Sequence, residues 1–388
     1  MHILHNILKN YNWGSRTLLA EWMHSTPSGA PEAEVWMGTH PGAPSTVQQG
    51  ASLTSLTALR SSHGRANGEL PFLLKLLAAG QPLSLQAHPN EAQAREGYAR
   101  ENAAGIALSD AARSYKDPYA KPELIVALGA FEALSGFRTM SDIAQTLGRT
   151  GVPYIDTSVT YAVSLGDGEG QRVLFQTWMS ARGNDLEAAL RAFVLVAKRV
   201  LSAPTYAWWS RTQLTFPSDA TVLIALLLEH LVLRPGEGIF LPAGNLHAYL
   251  GGLGIEIMGP SDNVLRGGMT PKHVNVTELG RVLRFEPYCP AILRAAHSDA
   301  GPHAWPTAEA PFCLATESVQ TARAWIPNTE DEIVLCVEGS PLFDNNLLLR
   351  TGDALYVAKE SPPRQVSGTG RWVRASSNLA PWATKRVS

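Results

Sequence analysis

Two short segments far apart in the chain carry the pattern that most restricts the fold. In the first, Gly80 is followed, after five residues, by Gln86-Ala87-His88. In the second, Gly236 is followed, after five residues, by Pro242 and, four further on, by His247. In each, a turn-forming glycine precedes a run of strand-forming residues. Side chains two apart on a strand project from the same face, so Gln86 and His88 must point the same way. If the two segments lie side by side in one sheet, His247 joins them on that face. A fold that brings together imidazoles from distant strands is mainly β.

These spacings resemble the two motifs of cupin β-barrels, with departures. The first motif usually reads His-x-His, and here its first member is Gln86; the second usually ends on an Asn where Gly251 stands. Neutral imidazole is a good zinc ligand, and a carboxylate or amide oxygen can complete the shell. Two acidic residues compete for the carboxylate position. Glu91 lies near the spacing of the ordinary cupin motif, but Asn90 is a good helix N-cap, and a first-turn glutamate is explained by the helix dipole alone. Glu123, in Lys121-Pro122-Glu123-Leu124, opens an apolar strand. Residue chemistry favours Glu123 and leaves Glu91 open. His2, His5, His24, His63, His230 and His303 fall in no such pattern and are read as structural.

The rest of the chain sorts into segments of different character. Residues 1–90 are short apolar bursts between Gly, Pro and Ser, the pattern of short strands and turns. From about Thr139 to Thr212 the character is helical. Ser141-Asp142-Ile143-Ala144 looks like a helix start, and Leu186, Leu190, Phe193, Val194, Ala197 and Val200 recur near a 3.6-residue period, with Pro204 ending that helix. Strand signals resume at Thr221 and run to about Phe285, and a new unit begins near Pro287. The stretch Leu233-Arg234-Pro235-Gly236-Glu237 is echoed by Leu349-Arg350-Thr351-Gly352-Asp353, as if one supersecondary element were used twice. In the second copy Ala358 replaces Pro242 and Pro363 stands where His247 would be, so that copy is expected to be structural. The expected organisation is a discontinuous metal-bearing cupin domain (1–138 and 213–286), a helical insertion (139–212) and a degenerate cupin-like β domain (287–388). The fold class is mainly β: two jelly-roll units plus an α-helical domain.

Composition removes several function classes. The chain has 388 residues, 45% of them hydrophobic and 17% charged, and a formal net charge of -2. That is an ordinary globular composition without the basic footprint of a nucleic-acid binder. Its three cysteines, Cys289, Cys313 and Cys336, form no C-x-x-C and suggest neither a thiolate metal site nor a disulfide framework. The N-terminus lacks a basic segment followed by an apolar one, and the most apolar stretch, 220–228, is far short of a membrane span. The expectation is a cytoplasmic protein, and a monomer.

Several segments, collinear over nearly the whole chain, resemble the type I mannose-6-phosphate isomerases. They are Asn10-Tyr11-Asn12-Trp13-Gly14; Ala33 to Pro41; Leu70 to Lys75; Gln81 to Asn90; Tyr115-Lys116-Asp117-Pro118; Lys121-Pro122-Glu123-Leu124; and, most specific, Ser261-Asp262-Asn263-Val264-Leu265-Arg266 continuing to Lys272. The last hundred residues match weakly. The resemblance implies one zinc held by Gln86, His88, Glu123 and His247. It implies that mannose 6-phosphate and fructose 6-phosphate are interconverted through a cis-enediol, with Arg266 at the reacting carbons. Lys75, Ser84, Lys121, Glu256, Asp262 and Lys272 match positions in or near the substrate pocket. Asn275 departs from the Asp common in the family.

The chemistry of these residue types suits such a reaction. Zinc can polarise carbonyl and hydroxyl oxygens. A guanidinium adds fixed positive charge where an enediolate develops, and it is always protonated, so Arg266 is not the base. The base candidates are Glu256, Asp262 and Lys121. Glu256 lies between Ile255 and Ile257 on a strand and should face away from both; in an apolar setting its carboxyl pKa would rise. Lys272 and Ser84 are the expected phosphate partners, with Lys75 a third. No Gly-rich phosphate loop is present, which argues against a nucleotide cofactor.

Two rivals remain open. An iron dioxygenase on the same barrel would share the histidines, but Gln86 and the Arg266/Lys272 pair do not suit it. A sugar-binding regulator would need a DNA-binding unit, and Arg182, Arg191, Lys198, Arg199 and Arg211 form no basic stripe. The helical insertion is expected to pack beside the barrel and wall the pocket.

Overall fold

The computed structural model describes residues 1–181, 185–295, 301–307, 310–344, 346–359 and 361–377; Arg182 lies outside them. The elements that position the site are β1 (His2–His5), β2 (Ile7–Lys9), α1 (Leu18–Trp22), β3 (Glu34–Met37), β4 (Thr46–Gln49), β5 (Ser52–Ser55), α2 (Leu56–Ser62), β6 (Leu73–Ala79), β7 (Leu85–Ala87), α3 (Glu91–Ala103) and β8 (Glu123–Phe137). A run of helices follows: α4 (Met140–Leu147), α5 (Pro153–Leu165), α6 (Glu169–Met179), α7 (Asp185–Val200) and α8 (Ala203–Thr215). The chain then returns to strands β9 (Leu228–Leu233), β10 (Glu237–Leu241), β11 (His247–Met258) and β12 (Leu265–Gly268), followed by α9 (Val276–Val282) and β13 (Leu293–Arg294). No helix of the described residues is long and apolar enough to cross a membrane.

The architecture is mostly sheet with helices. One ten-stranded sheet runs β13-β10-β8-β11-β6-β3-β2, with β7 pairing β11 and β12, and β9 pairing β8. Its spine is the antiparallel pair β8 and β11, in register from His247↔Ser135 to Met258↔Glu123 with two irregularities. Gly252 sits at one of them at φ +120°, and a Cβ there would lie 2.4 Å from the Ala130 carbonyl oxygen, so the close crossing needs a glycine.

Alternation along the strands divides the core. On β6, Leu74, Leu76 and Ala78 join Leu253, Ile255 and Ile257 of β11 in a cluster that includes Leu314, Ile333, Leu335, Tyr356 and Val373. Lys75 and Glu256 fall in the opposite phase of the same strands and are register partners. The helices α4 to α8 cover the other end of the sheet, where Leu134 and Phe137 pack with Ile143, Leu174, Phe175, Phe193 and Trp209.

A second sheet of eight strands contains Phe312–Val319, Gly370–Ser377, Glu332–Gly339 and Ala354–Val357, and continues into β1, β4 and β5. Hydrogen bonding therefore crosses the boundary expected near Pro287: the first strand of the chain pairs with Ala354–Val357, Ile3 opposite Leu355. At the same seam, Arg60 of α2 donates to Asp331 and to the Tyr356 hydroxyl.

Local chemistry explains most element ends. Asn90 caps α3 by accepting from the Gln93 amide, while the Gln93 side chain accepts from the Asn90 amide, a complete capping box. Thr139 caps α4 through the Asp142 amide. Pro204 does more than end a helix: it lies in the first turn of α8, behind the Ser202 cap, where a missing N–H costs nothing. One expectation is corrected. The strand predicted from Thr221 starts only at Leu228, because 220–227 form a run of 3₁₀ turns. Asp219 accepts from the Thr221 amide and starts the run, and Val222 to Leu227 are buried all round. A short stretch buried on every side has no periodicity to separate helix from strand.

Candidate metal centre

β7 is inserted between β11 and β12, and this insertion assembles the site. Gln86 pairs with His247 on one side and with Arg266 on the other, and His247 in turn pairs with Ser135. His88 follows just beyond β7, and Glu123 opens β8 opposite Met258 and Leu241. The nitrogen and oxygen atoms of His88, Glu123 and His247 lie within 4.8 Å of one another. His88 Nε2 is 3.3 Å from Glu123 Oε1, and His247 Nε2 is 3.5 Å from Glu123 Oε2. Gln86 Nε2 is 3.4 Å from His247 Nε2. Since the two ends of an amide exchange by a flip, its oxygen can take that place.

His88, Glu123 and His247 are all buried, and among the described residues His88 Nε2 and Glu123 Oε2 have no hydrogen-bond partner. Leaving buried polar atoms unpaired is costly, and such pairs of orphans are rare in a folded chain. Both atoms are of the kind zinc takes, and they converge on one point, so the donor set fits the ion. The opposite ring nitrogens are engaged. His88 Nδ1 donates to the Asn263 carbonyl at 2.7 Å, and His247 Nδ1 to the Asn245 carbonyl at 3.0 Å. A carbonyl can only accept, which puts the proton on Nδ1 and leaves the Nε2 lone pairs free. Burial lowers the His88 pKa to about 4, so its ring is neutral at neutral pH. Burial alone would raise the Glu123 carboxyl, but the neighbouring His88 ring, where it is protonated, and the Lys121 ammonium override it and hold the group well below its ordinary value.

Glu91 takes no part. It is exposed, pairs with Arg95 one turn along α3, and accepts from the Ala120 amide. Of the two carboxylates left open by residue chemistry, Glu123 is the one at the histidines.

Next to this cluster lies a buried charge network. Lys75 Nζ is 2.9 Å from Glu256 Oε2 and 3.7 Å from Glu34 Oε1, and it stands 5.3 Å from the centre of the Trp36 ring. The Tyr249 hydroxyl donates to Glu256 Oε1 at 3.1 Å. Burial raises the Glu256 carboxyl, as its place between two isoleucines suggested, while Lys75 opposes the rise. Lys121 Nζ lies 3.3 Å from Glu123 Oε1. Asp262 is half-exposed, with His40 Nε2 at 3.3 Å; that contact holds its carboxyl below the usual range.

Arg266 and Lys272 are different. Arg266 is partly buried, which lowers its pKa, and among the described residues it has no ion pair or hydrogen bond from its side chain. The Lys272 ammonium is likewise without a partner; burial and the neighbouring Arg266 charge lower its pKa. With the Arg266 charge acting on Lys272 and neither cation bonded to a carboxylate among the described residues, the pair can receive an anion. Ser84 stands half-buried at the entry to β7, two residues before Gln86.

Sequence reasoning missed Glu34, Tyr249, His40, Asp117 and Asn263. Glu34 was visible in principle, since it alternates with Trp36 on β3 opposite Leu77 and Lys75. Asn263 and Asp117 lie within quoted segments but carried no chemical signal of their own.

Comparison with known proteins places the chain among relatives of one kind. A family model described as the catalytic domain of type I phosphomannose isomerase matches residues 1–140. Mannose-6-phosphate isomerases of Salmonella typhimurium and Escherichia coli are each 35% identical, covering 98% of this chain and 100% of theirs. The enzyme of Aspergillus fumigatus is 31% identical over 73% of this chain and 70% of its own. Among solved structures, a point mutant of Salmonella typhimurium phosphomannose isomerase superposes with a TM-score of 0.90 at 33% identity, covering 98% of this chain and 100% of its own. A zinc-bound mannose 6-phosphate isomerase gives 0.88 at 33% identity, covering 97% and 99%.

Proposed function

The chain belongs to the type I phosphomannose isomerase family, and from that premise we propose that it interconverts D-mannose 6-phosphate and D-fructose 6-phosphate with one zinc ion held by Gln86, His88, Glu123 and His247. The observation that carries the metal assignment is the convergence of unpaired, buried His88 Nε2 and Glu123 Oε2 on His247. Zinc bound there would polarise the carbonyl and hydroxyl oxygens at C1 and C2 of the open-chain sugar.

The remaining roles follow from the free valences of the protein groups. Arg266, register partner of Gln86 and without a carboxylate of its own, supplies positive charge to the enediolate oxygens. Lys272, with Ser84, takes the phosphate. Glu256 has both oxygens occupied by protein donors, so its part is to fix Lys75 rather than to meet the sugar. Lys75 is held in turn by two carboxylates, so in this reading Lys272 and Ser84 come before it as phosphate partners. The carbon proton then falls to Asp262 or Lys121. Gln86 among the donors and the unpaired Arg266 and Lys272 speak against an iron dioxygenase.

The spacing of the two motifs and the interposed β7 support a cupin barrel for the metal-bearing unit. The packing of α4 to α8 on Leu134 and Phe137 supports the helical insertion as a wall beside it. The reading proposed includes a monomer working in the cytoplasm. The test is metal content measured together with mannose-6-phosphate isomerase activity, before and after chelation. One zinc per chain, with activity lost on chelation and restored by zinc, is the expected result. Bound iron with oxygen uptake, or a filled zinc site without turnover, refutes the reading.

A further inference from the structure

The loops that carry the site are fastened to one another by two side chains that are not among the groups assigned above to zinc and the sugar. Asn263 is completely buried. Its Oδ1 accepts from the amides of Lys116 at 2.7 Å and Asp117 at 3.2 Å. Its Nδ2 donates to the carbonyls of Asp117 at 2.8 Å and Tyr119 at 2.9 Å, and lies 3.2 Å from Asp117 Oδ1. Asp117 answers: Oδ2 accepts from the Asp262 amide at 2.8 Å, and Oδ1 accepts from the Ser261 hydroxyl at 2.8 Å. These are side-chain bonds between segments that form no strand pair, so no backbone ladder would replace them.

The placement of the clasp gives it a role. Residues 116–119 lead into Lys121 and Glu123, and residues 261–263 lead into Arg266. The backbone carbonyl of Asn263 is the acceptor that fixes His88 Nδ1. The clasp thus bonds directly to one group assigned above to the metal, His88, and it flanks the strand ends that carry Glu123 and Arg266, which their own backbone ladders hold. We propose that Asn263, with Asp117, is a positioning residue of the metal centre: its amide holds the Asn263 carbonyl where it orients the His88 ring toward zinc. This rests on the zinc reading given above. An outer partner of a metal-bound histidine is worth roughly 10–100-fold in metal affinity.

The experiment is zinc affinity by competition with a chromophoric chelator, on the full chain, for wild type, Asn263→Ala, Asp117→Asn and a control, Asn328→Ala. Asn328 is equally a buried asparagine, bonded to Ser376 in the C-terminal sheet and remote in sequence from the ligands. Asn263→Ala is expected to raise the zinc dissociation constant about 10–100-fold, and Asp117→Asn, which keeps the Asn263 amide, at least about threefold. Asn328→Ala should stay within about twofold of wild type whatever it does to stability, since it bonds to no ligand. In the metal-free protein, hydrogen exchange at the Lys116 and Asp262 amides should accelerate in the Asn263 and Asp117 variants. If Asn263→Ala does not fold, Asp117→Asn carries the test. A wild type that binds no zinc overturns both this inference and the reading beneath it. A wild type that binds zinc with variants of unchanged affinity, or an Asn328→Ala loss as large as that of Asn263→Ala, overturns this inference alone.

Discussion

Removing Lys75 should unfold this protein more readily than removing any surface charge, and the size of the effect follows from what it leaves behind. Lys75→Met keeps the apolar stem and deletes the ammonium. Glu256 then remains buried at 3% exposure and Glu34 at 7%, without the cation that lay 2.9 and 3.7 Å away. Breaking a buried pair from one side costs about 3–5 kcal/mol, because the surviving charge is neither solvated nor matched. Against a net stability of about 5–15 kcal/mol, that is a large fraction.

The deficit should also depend on pH, with a sign that can be fixed in advance. Burial already raises the Glu256 carboxyl above its ordinary value, and losing Lys75 raises it further. A raised carboxyl means that the folded state holds a proton the unfolded state has released, so stability falls as pH rises through that window. The slope is at most about 1.4 kcal/mol per pH unit for one group, so a loss of about 3–5 kcal/mol builds up over a wide span of pH above the ordinary glutamate range. The deficit is therefore small near pH 4.5 and complete only at neutral pH or above. Urea unfolding of the metal-free protein across this range measures it. Adding Glu256→Gln should recover at least half, since the amide is neutral and can still accept from Tyr249. A deficit below about 1 kcal/mol, a pH-independent one, or no recovery in the double variant would refute the reasoning.

Arg266→Ala should behave in the opposite way: no carboxylate is orphaned, so zinc content and unfolding midpoint stay near wild type, while steady-state assay shows kcat reduced about 10²–10³-fold. Lysine there should not restore it, because a point charge does not span two oxygens as a guanidinium does; kcat within tenfold of wild type for either variant would exclude the role. Glu91→Gln and Glu123→Gln separate the two carboxylates. The first removes an exposed pair with Arg95, worth at most about 1 kcal/mol, and leaves zinc affinity unchanged, while the second removes a ligand and should weaken zinc by more than about 100-fold in the same chelator competition.

The metal position was legible because period-two spacing and a turn glycine are local signals. Gln86 and His88 share a face by strand geometry, and only the partner strand had to be supplied by the fold. The carboxylate was harder: Glu91 and Glu123 both follow His88, and what separates them is the helix cap at Asn90, which draws Glu91 outward onto α3. Pairings between distant residues left no local trace. Nothing in His2-Ile3-Leu4-His5 announces a partner at Leu355, and the all-apolar 220–227 stretch could not declare its own geometry. The partners of Lys75 were not legible, because a lone lysine on an apolar strand looks the same from sequence whether it meets a ligand or a buried glutamate.

That ambiguity also says which cations are free to meet an anion. The chain places four cations around the site, and the structure gives two of them carboxylates: Lys75 has Glu34 and Glu256, and Lys121 has Glu123. Such charges are already compensated, and a ligand would have to compete for them. Among the described residues Arg266 and Lys272 carry no such partner, and His88 Nε2 and Glu123 Oε2 lack hydrogen bonds where burial makes that costly. Folding alone would select against the two buried orphans, while the two cations, one partly buried and one exposed, are left to the solvent. Their occurrence side by side, two donors that want a cation next to two cations that want an anion, is explained by a metal ion and a phosphorylated sugar completing what the chain leaves open.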